Sequence, residues 1–108
     1  MYAAEKFRTG EIQALPHRRI NEKTARQYGY ATTSNGAEVE NFYSTDGTLQ
    51  AQHIRYDGKK FAWIGDTSNL QFYGQNLFPS GGKRILITEG AIDCLTMAQL
   101  FDNKYPVV

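Results

Sequence analysis

Apolar and polar positions follow three regimes along this chain. There is no clear period over the first sixteen residues, a period of two from about residue 30 to 64, and an apolar run that breaks into helical spacing after residue 84. In the first regime Tyr2, Phe7, Ile12 and Leu15 fit neither period, and Thr9-Gly10 and Pro16 interrupt them, which predicts a short helical turn and loop. Residues 18–29 read more sharply. Asn21 is placed as an N-cap, Glu22 suits the positive end of a helix, and Gly29 suits a terminator, so a short helix with Ala25 and Tyr28 inward is predicted.

The alternating stretch is punctuated by Asn35-Gly36, Asp46-Gly47 and Asp57-Gly58, about eleven residues apart. Asn and Gly tolerate positive φ, so these are hairpin turns, and the segments between them form an antiparallel meander of three or four strands. In the strand 49–56, Leu49, Ala51, His53 and Arg55 share one face, and Gln50, Gln52, Ile54 and Tyr56 share the other. Neither face is wholly apolar. Residues 65–69 are loop, and 70–78 is aromatic-rich around Gly74 and is expected to pack the meander against a second sheet. Pro79-Ser80-Gly81-Gly82 reads as a linker, giving two units, 1–80 and 81–108.

Beyond the linker, Ile85-Leu86-Ile87-Thr88 runs into Glu89-Gly90 and then into helix-compatible spacing, and the chain stops at Tyr105-Pro106-Val107-Val108. An apolar strand turning at once into a helix is the first half of a parallel β-α-β crossover. The fold expected is therefore α+β: a small antiparallel meander with a short N-terminal helix, then one incomplete β-α-β unit. Such a unit leaves strand edges at 85–88 and 105–108 unpaired, which implies either a piece of something longer or self-association through those edges.

Composition narrows the picture. A chain of 108 residues with 41% hydrophobic and 21% charged residues is ordinary for one globular domain or two small halves. The net charge of +1 carries no bulk signal for nucleic acid, but Lys6, Arg8, Arg18, Arg19, Lys23 and Arg26 crowd into the first thirty positions. That local excess permits phosphate contact, and a merely solvated surface explains it equally. Cys94 is the single cysteine, which excludes a disulfide framework, and with His17 and His53 it cannot make a structural zinc set. It is expected to be a small buried hydrophobe. No apolar run approaches a membrane span and no secretory leader opens the chain, so a reducing, intracellular setting is expected.

Two groups of residues could carry chemistry. Glu89, at the end of the apolar run and before the helix, could coordinate Mg²⁺ or act as a general base, with Asp93 four residues on; both could equally be helix-capping acids. His53, Arg55, Lys59 and Lys60 form a small basic patch near Phe61 and Trp63, an interleaving that suits single strands held by phosphate contact and base stacking. Against this, Phe61 and Trp63 alternate as core residues do, and His53 reads as a partly buried sheet residue. Lys83 and Arg84 are either a solvated strand start or a further phosphate contact.

From about Leu15 onward the chain resembles the primase part of the bacteriophage T7-type primase–helicases, the family to which mitochondrial Twinkle helicases are related. The matching pieces are INEKTARQYGY, the Asp46-Gly47 hairpin followed by QHIR, the Tyr73-Gly74 region, and GGKRILITEGAIDCLTMAQL with KYPVV. The resemblance implies an N-terminal α+β subdomain abutting the opening of a toprim domain, with template, nucleotides and Mg²⁺ between them. The family's glutamate falls on Glu89, its neighbouring acid on Asp93 and its strand arginine on Arg55. It implies metal-assisted nucleotidyl transfer, in which a 3′-hydroxyl attacks an α-phosphate, on a single-stranded DNA template with ribonucleoside triphosphates in the cytoplasm of an infected bacterium. Three departures stand out. His53 and Ala62 occupy positions where the family has basic residues, and the family's later Asp-x-Asp pair is missing, as are its zinc module and P-loop helicase. With two carboxylates and no further acid, Mg²⁺ is expected to bind weakly or not at all.

Overall fold

The segment before Gly29 folds as its caps dictate. In the computed structural model, which describes residues 7–57, 60–78, 81, 82 and 84–108, helix α1 spans Glu22–Tyr28. The Asn21 side chain accepts from the Thr24 amide at 2.9 Å, and Gly29 closes the helix in the left-handed conformation at φ 68°. Thr24, Ala25 and Tyr28 are its buried residues.

The meander is a five-stranded antiparallel sheet in sequence order: β1 Glu11–Ile12, β2 Ala31–Thr32, β3 Glu38–Tyr43, β4 Leu49–Tyr56 and β5 Lys60–Gly65. β1 lies where a helical turn and loop were expected. Two residues carry no readable period, and they are strand only because β2 pairs with them. A helical turn does come next, a single 3-10 turn at Pro16–Arg18. Opposite residues in the central hairpin are Glu38 and Arg55, Glu40 and His53, Phe42 and Ala51. The register then slips, so that Tyr43 faces Leu49 and Gln50 has no partner in the ladder. Gln50 uses its amide instead to donate to the Asp66 and Ser68 carbonyls, both at 2.9 Å, which folds the loop after β5 back onto the sheet.

The two sheet faces differ. One buries Ala31, Ala37, Val39, Ile54 and Ile64. Buried Gln52 ties the N-terminal segment to the sheet, accepting from the Arg8 amide at 2.7 Å and donating to the Arg8 carbonyl at 2.9 Å. The other face carries Glu40, Phe42, His53 and Arg55, opposite Trp63 and Phe61 on β5. Phe42 is where the main core meets this face: its ring lies edge-on to Tyr73 at 5.4 Å.

Helix α2, Ala91–Leu100, supplies the rest of that core. Its buried positions, Ala91, Cys94, Leu95 and Ala98, recur at the three- and four-residue spacing of one helix face. They join Ala25, Tyr28, Tyr30 and Tyr73 in a single cluster, so the two halves read from the linker share one core. Full burial of a side chain such as Leu95 contributes about 1.5–3 kcal/mol. Cys94 is buried, as expected, and its thiol donates to the Val107 carbonyl at 3.3 Å.

The parallel β-α-β unit expected for 85–108 is not present. Neither 85–88 nor 105–108 forms a strand. They meet at one isolated parallel bridge, Leu86 with Val107, held by Leu86 N–H to the Pro106 carbonyl, Val108 N–H to the Leu86 carbonyl and Thr88 N–H to the Val108 carbonyl. Two short segments with no third strand beside them among the described residues make too few ladder bonds to extend, and Ile85 and Ile87 stay 53% and 63% exposed. Self-association therefore loses the strand edges on which it was expected to rest.

Burial pushes the Cys94 thiol from 9.0 up to about 11. The folded chain keeps this proton where the unfolded chain has begun to lose it. Stability is thus intact below pH 9.0 and falls as pH rises through about 11. The buried hydroxyls of Tyr28 and Tyr73 are raised as well and steepen the alkaline loss. Cys94→Ala should flatten the slope of stability against pH in that window, measured by urea unfolding. An unchanged slope would contradict it.

Candidate nucleic-acid cleft

The half of the sheet face beyond Phe42 is left open, and its chemistry stems from strand register. Glu40, His53 and Trp63 lie side by side on β3, β4 and β5, and Glu38, Arg55 and Phe61 form the next row. Glu40 is 5% exposed. A carboxylate in that position needs compensation. His53 Nδ1 lies 2.9 Å from one of its oxygens and Arg55 Nη1 3.6 Å from the other. Since a carboxylate only accepts, Nδ1 carries the proton, which leaves His53 Nε2 as the ring's other hydrogen-bonding atom.

Aromatic rings frame this charge group. The His53 ring stacks on Phe61 at 5.2 Å with 1° between planes and lies 4.5 Å from Trp63. The Arg55 guanidinium sits 5.5 Å from the centre of the Phe61 ring, and Trp63 packs on Phe42 at 5.3 Å. Phe61 and Trp63 remain 52% and 48% exposed. They are not the core residues that their alternation suggested, because no element of the described chain covers that half of the sheet.

A second wall faces this one. Thr88, Glu89, Gly90 and Ala91, the entry to α2, border a cavity of about 330 Å³ whose other side includes Glu40, His53, Arg55 and Trp63. The Thr88 hydroxyl donates to the Val108 carbonyl at 3.0 Å, which fixes the turn to the C-terminal segment. Glu89 is exposed, lines the cavity and has no hydrogen bond or ion pair among the described residues.

The other sequence-predicted residues scatter. Asp93 is exposed in the first turn of α2, where an acid is favoured by the helix dipole, and it does not line the cavity. Lys60 opens β5 and is exposed. Arg84 borders a different groove, with Phe72, Ile85 and Ile87. Lys59 and Lys83 lie outside the described residues. Glu40 was missed: the Glu38-Val39-Glu40 alternation puts both acids on one strand face, but it is the shifted register that sets them beside His53 and Arg55.

Magnesium asks for an octahedron of oxygens. Glu40 is engaged by His53 and Arg55, leaving Glu89 and Asp93, and no group of three or more possible ligands occurs among the described residues. These residues do not by themselves make a magnesium site.

Residues 10–65, more than half of the chain, match the family described as bacteriophage T7 DNA helicase/primase, N-terminal a+b fold. The chain belongs to this T7-type helicase/primase family. It is similar to the DNA helicase/primase of enterobacteria phage T3, 35% identical over 102 residues, which are 92% of this chain and 18% of that protein. Among solved structures it is similar to the primase fragment of the bacteriophage T7 primase-helicase protein, with 36% identity and a TM-score of 0.80 over 91% of this chain and 42% of that one. A second is a structure of the T7 lagging-strand DNA polymerase interacting with primase domains of two gp4 subunits bound to an RNA/DNA hybrid and dTTP. There the identity is 35% and the TM-score 0.81, over 91% of this chain and 51% of that one. The chain thus spans less than a fifth of the T3 relative and about half or less of these solved chains.

The Glu40 group is open to a direct test. Glu40→Gln keeps the shape and removes the charge shared by His53 and Arg55. It should lower stability by about 1–3 kcal/mol, the usual cost of leaving buried partners poorly satisfied. Urea unfolding with an unchanged m value would show it; a variant as stable as the parent chain would contradict it.

Proposed function

We propose that this chain is the part of a T7-type primase–helicase that lines the nucleotide and template cleft. The protein would make short RNA primers on single-stranded DNA by metal-dependent nucleotidyl transfer in the cytoplasm of the infected host. The observation that carries this reading is the juxtaposition of Arg55, His53 and Trp63, backed by the exposed Phe61 ring, with the Glu89 wall across one cavity. Arg55 would meet a phosphate, and the exposed rings would stack a base. On this reading residues 1–80 are the N-terminal subdomain and 81–108 the opening of the catalytic domain. Glu89 is the catalytic acid, Asp93 its neighbour, and Lys59, Lys60, Lys83 and Arg84 supply further phosphate contacts.

Glu89, with Asp93 four residues on, would be among the ligands holding a Mg²⁺ whose remaining ligands come from elsewhere in a longer protein; such an ion would supply charge neutralisation at the transferring phosphate. This chain's own residues position and orient; the transfer belongs to the whole. A second reading, a nucleic-acid-binding or replication-interaction module without catalysis, is favoured by the same stacking face, which can hold a single strand whether or not transfer ensues.

Trp63 is the only tryptophan, so its fluorescence reports the cleft directly. Oligothymidylate should quench it, and Arg55→Ala should weaken the quenching at low salt. The chain alone, with ribonucleotides, template and Mg²⁺, should form no dinucleotide. Absence of quenching would defeat both readings, whereas dinucleotide formation would refute the assignment of transfer to the whole protein.

A further inference from the structure

The loop between Leu15 and Ile20 is unusually well fixed for so exposed a segment. Its ends are 2% exposed and bonded to each other twice, Leu15 N–H to the Ile20 carbonyl at 2.7 Å and Ile20 N–H to the Leu15 carbonyl at 3.1 Å. Between them Pro16, His17, Arg18 and Arg19 are all exposed. Arg19 sits in the left-handed region at φ 56°, a conformation that a non-glycine side chain adopts only when its surroundings hold it.

Gln99 of α2 does the holding. Its amide nitrogen donates to the Arg19 carbonyl at 2.7 Å, and its amide oxygen accepts from the Asn21 N–H at 2.8 Å. A side chain eighty positions away thus clamps both ends of the Arg19-Ile20-Asn21 corner. Lys23 comes next, exposed in α1. Arg26 is ion-paired with Glu22 at 3.0 Å, whereas Arg18, Arg19 and Lys23 have no carboxylate partner among the described residues.

This basic corner adjoins the cleft. His17 Nε2 is 3.6 Å from Glu38, and Glu38 is the residue opposite Arg55 in the sheet. The exposed turn that carries Arg18 and Arg19 is thus tied through His17 to the Glu38–Arg55 row, whose far side is the aromatic face. A preorganised set of cations binds a polyanion without the entropy cost of ordering a flexible loop.

We propose that Arg18, Arg19 and Lys23 form a second phosphate-contact surface that holds a single nucleic-acid strand as it leaves the cleft past Arg55. The inference rests on the cleft reading above for the direction of the strand. Its class of partner, a single strand longer than the cleft can hold, follows from the link that His17 and Glu38 make between the basic turn and the Arg55 row.

The test is anisotropy titration of the whole chain with a fluorescein-labelled oligothymidylate of about fifteen nucleotides, long enough to span cleft and corner, at several salt concentrations. Arg18→Ala/Arg19→Ala/Lys23→Ala should weaken binding and make the log–log salt slope shallower by about two, since each phosphate contact on a single strand contributes about 0.7. Arg19→Gly relaxes the left-handed backbone while removing one charge, so it should bind more weakly without melting earlier, which separates lost contact from lost fold. A trinucleotide should be bound alike by the triple variant and the parent chain, and more weakly by Arg55→Ala. An unchanged slope in the triple variant, with Arg55→Ala defective, would overturn the second surface and leave the cleft standing. A changed slope with Arg55→Ala normal would leave phosphate contact at the corner and overturn the path past Arg55. Tighter capture of oligoglutamate than of oligothymidylate at this corner, competed in the same assay, would overturn the nucleic-acid assignment.

Discussion

The carbonyl of Val107 is the point on which the arrangement of this chain depends. It accepts from the Tyr28 hydroxyl at 2.8 Å and from the Cys94 thiol, so α1, α2 and the C-terminal segment converge on one buried oxygen. The Tyr28 ring in turn stacks on Tyr73 at 5.8 Å, and Tyr73 donates back to the Tyr28 carbonyl at 3.3 Å. Gly74 lies so close that a Cβ there would fall 2.4 Å from the Tyr28 ring, and its φ of 83° suits glycine besides. A side chain at Gly74 would push the ring off its bond, and with it the segment carrying Thr88, Glu89 and Gly90. The distance between the Glu89 wall and the Arg55 face is thus set by the packing of Tyr28, Tyr73 and the C-terminal segment behind the cavity.

Within the cleft, Glu40 plays the corresponding part. Buried carboxylates are retained where partners satisfy them, and here one acid holds two side chains in place by separate oxygens. The result is a histidine and an arginine oriented by a buried anion and shouldered by exposed rings. Such a surface would offer rings and charge to a polyanion without having to assemble first. The aromatic face stays open because Phe42 takes the core contact with Tyr73, leaving Trp63 and Phe61 beyond the edge of the packed region.

Much of this was legible from residue order, for reasons that are local. Asn21 and Gly29 bracket α1 because a cap and a left-handed stop act within one turn. The Asn35-Gly36 and Asp46-Gly47 turns mark the meander because positive φ is a property of single residues, while Gly58 of the third expected turn lies outside the described residues. What failed was tertiary. β1 is two residues long and owes its state to β2; Phe61 and Trp63 alternate as buried residues do, yet burial depends on what lies opposite. The residues around 85–88 have strand composition, but a strand needs neighbours, and a single parallel bridge does not extend into a sheet. Glu40 could have been found by counting back from the Asp46-Gly47 turn, had the slip at Gln50 not displaced the register by one residue. Glu89 lines the cavity while Asp93 does not, a distinction that spacing alone could not make.

The central claim is that nucleic acid enters between the Arg55–Trp63 face and the turn before α2. Backbone amide shifts of the isotopically labelled chain, tracked while oligothymidylate is added, test it most directly. The expected result is a contiguous set of perturbed amides at His53, Arg55, Phe61 and Trp63 together with Thr88, Glu89 and Gly90 across the cavity. Saturable shifts that leave both of these walls untouched would contradict it.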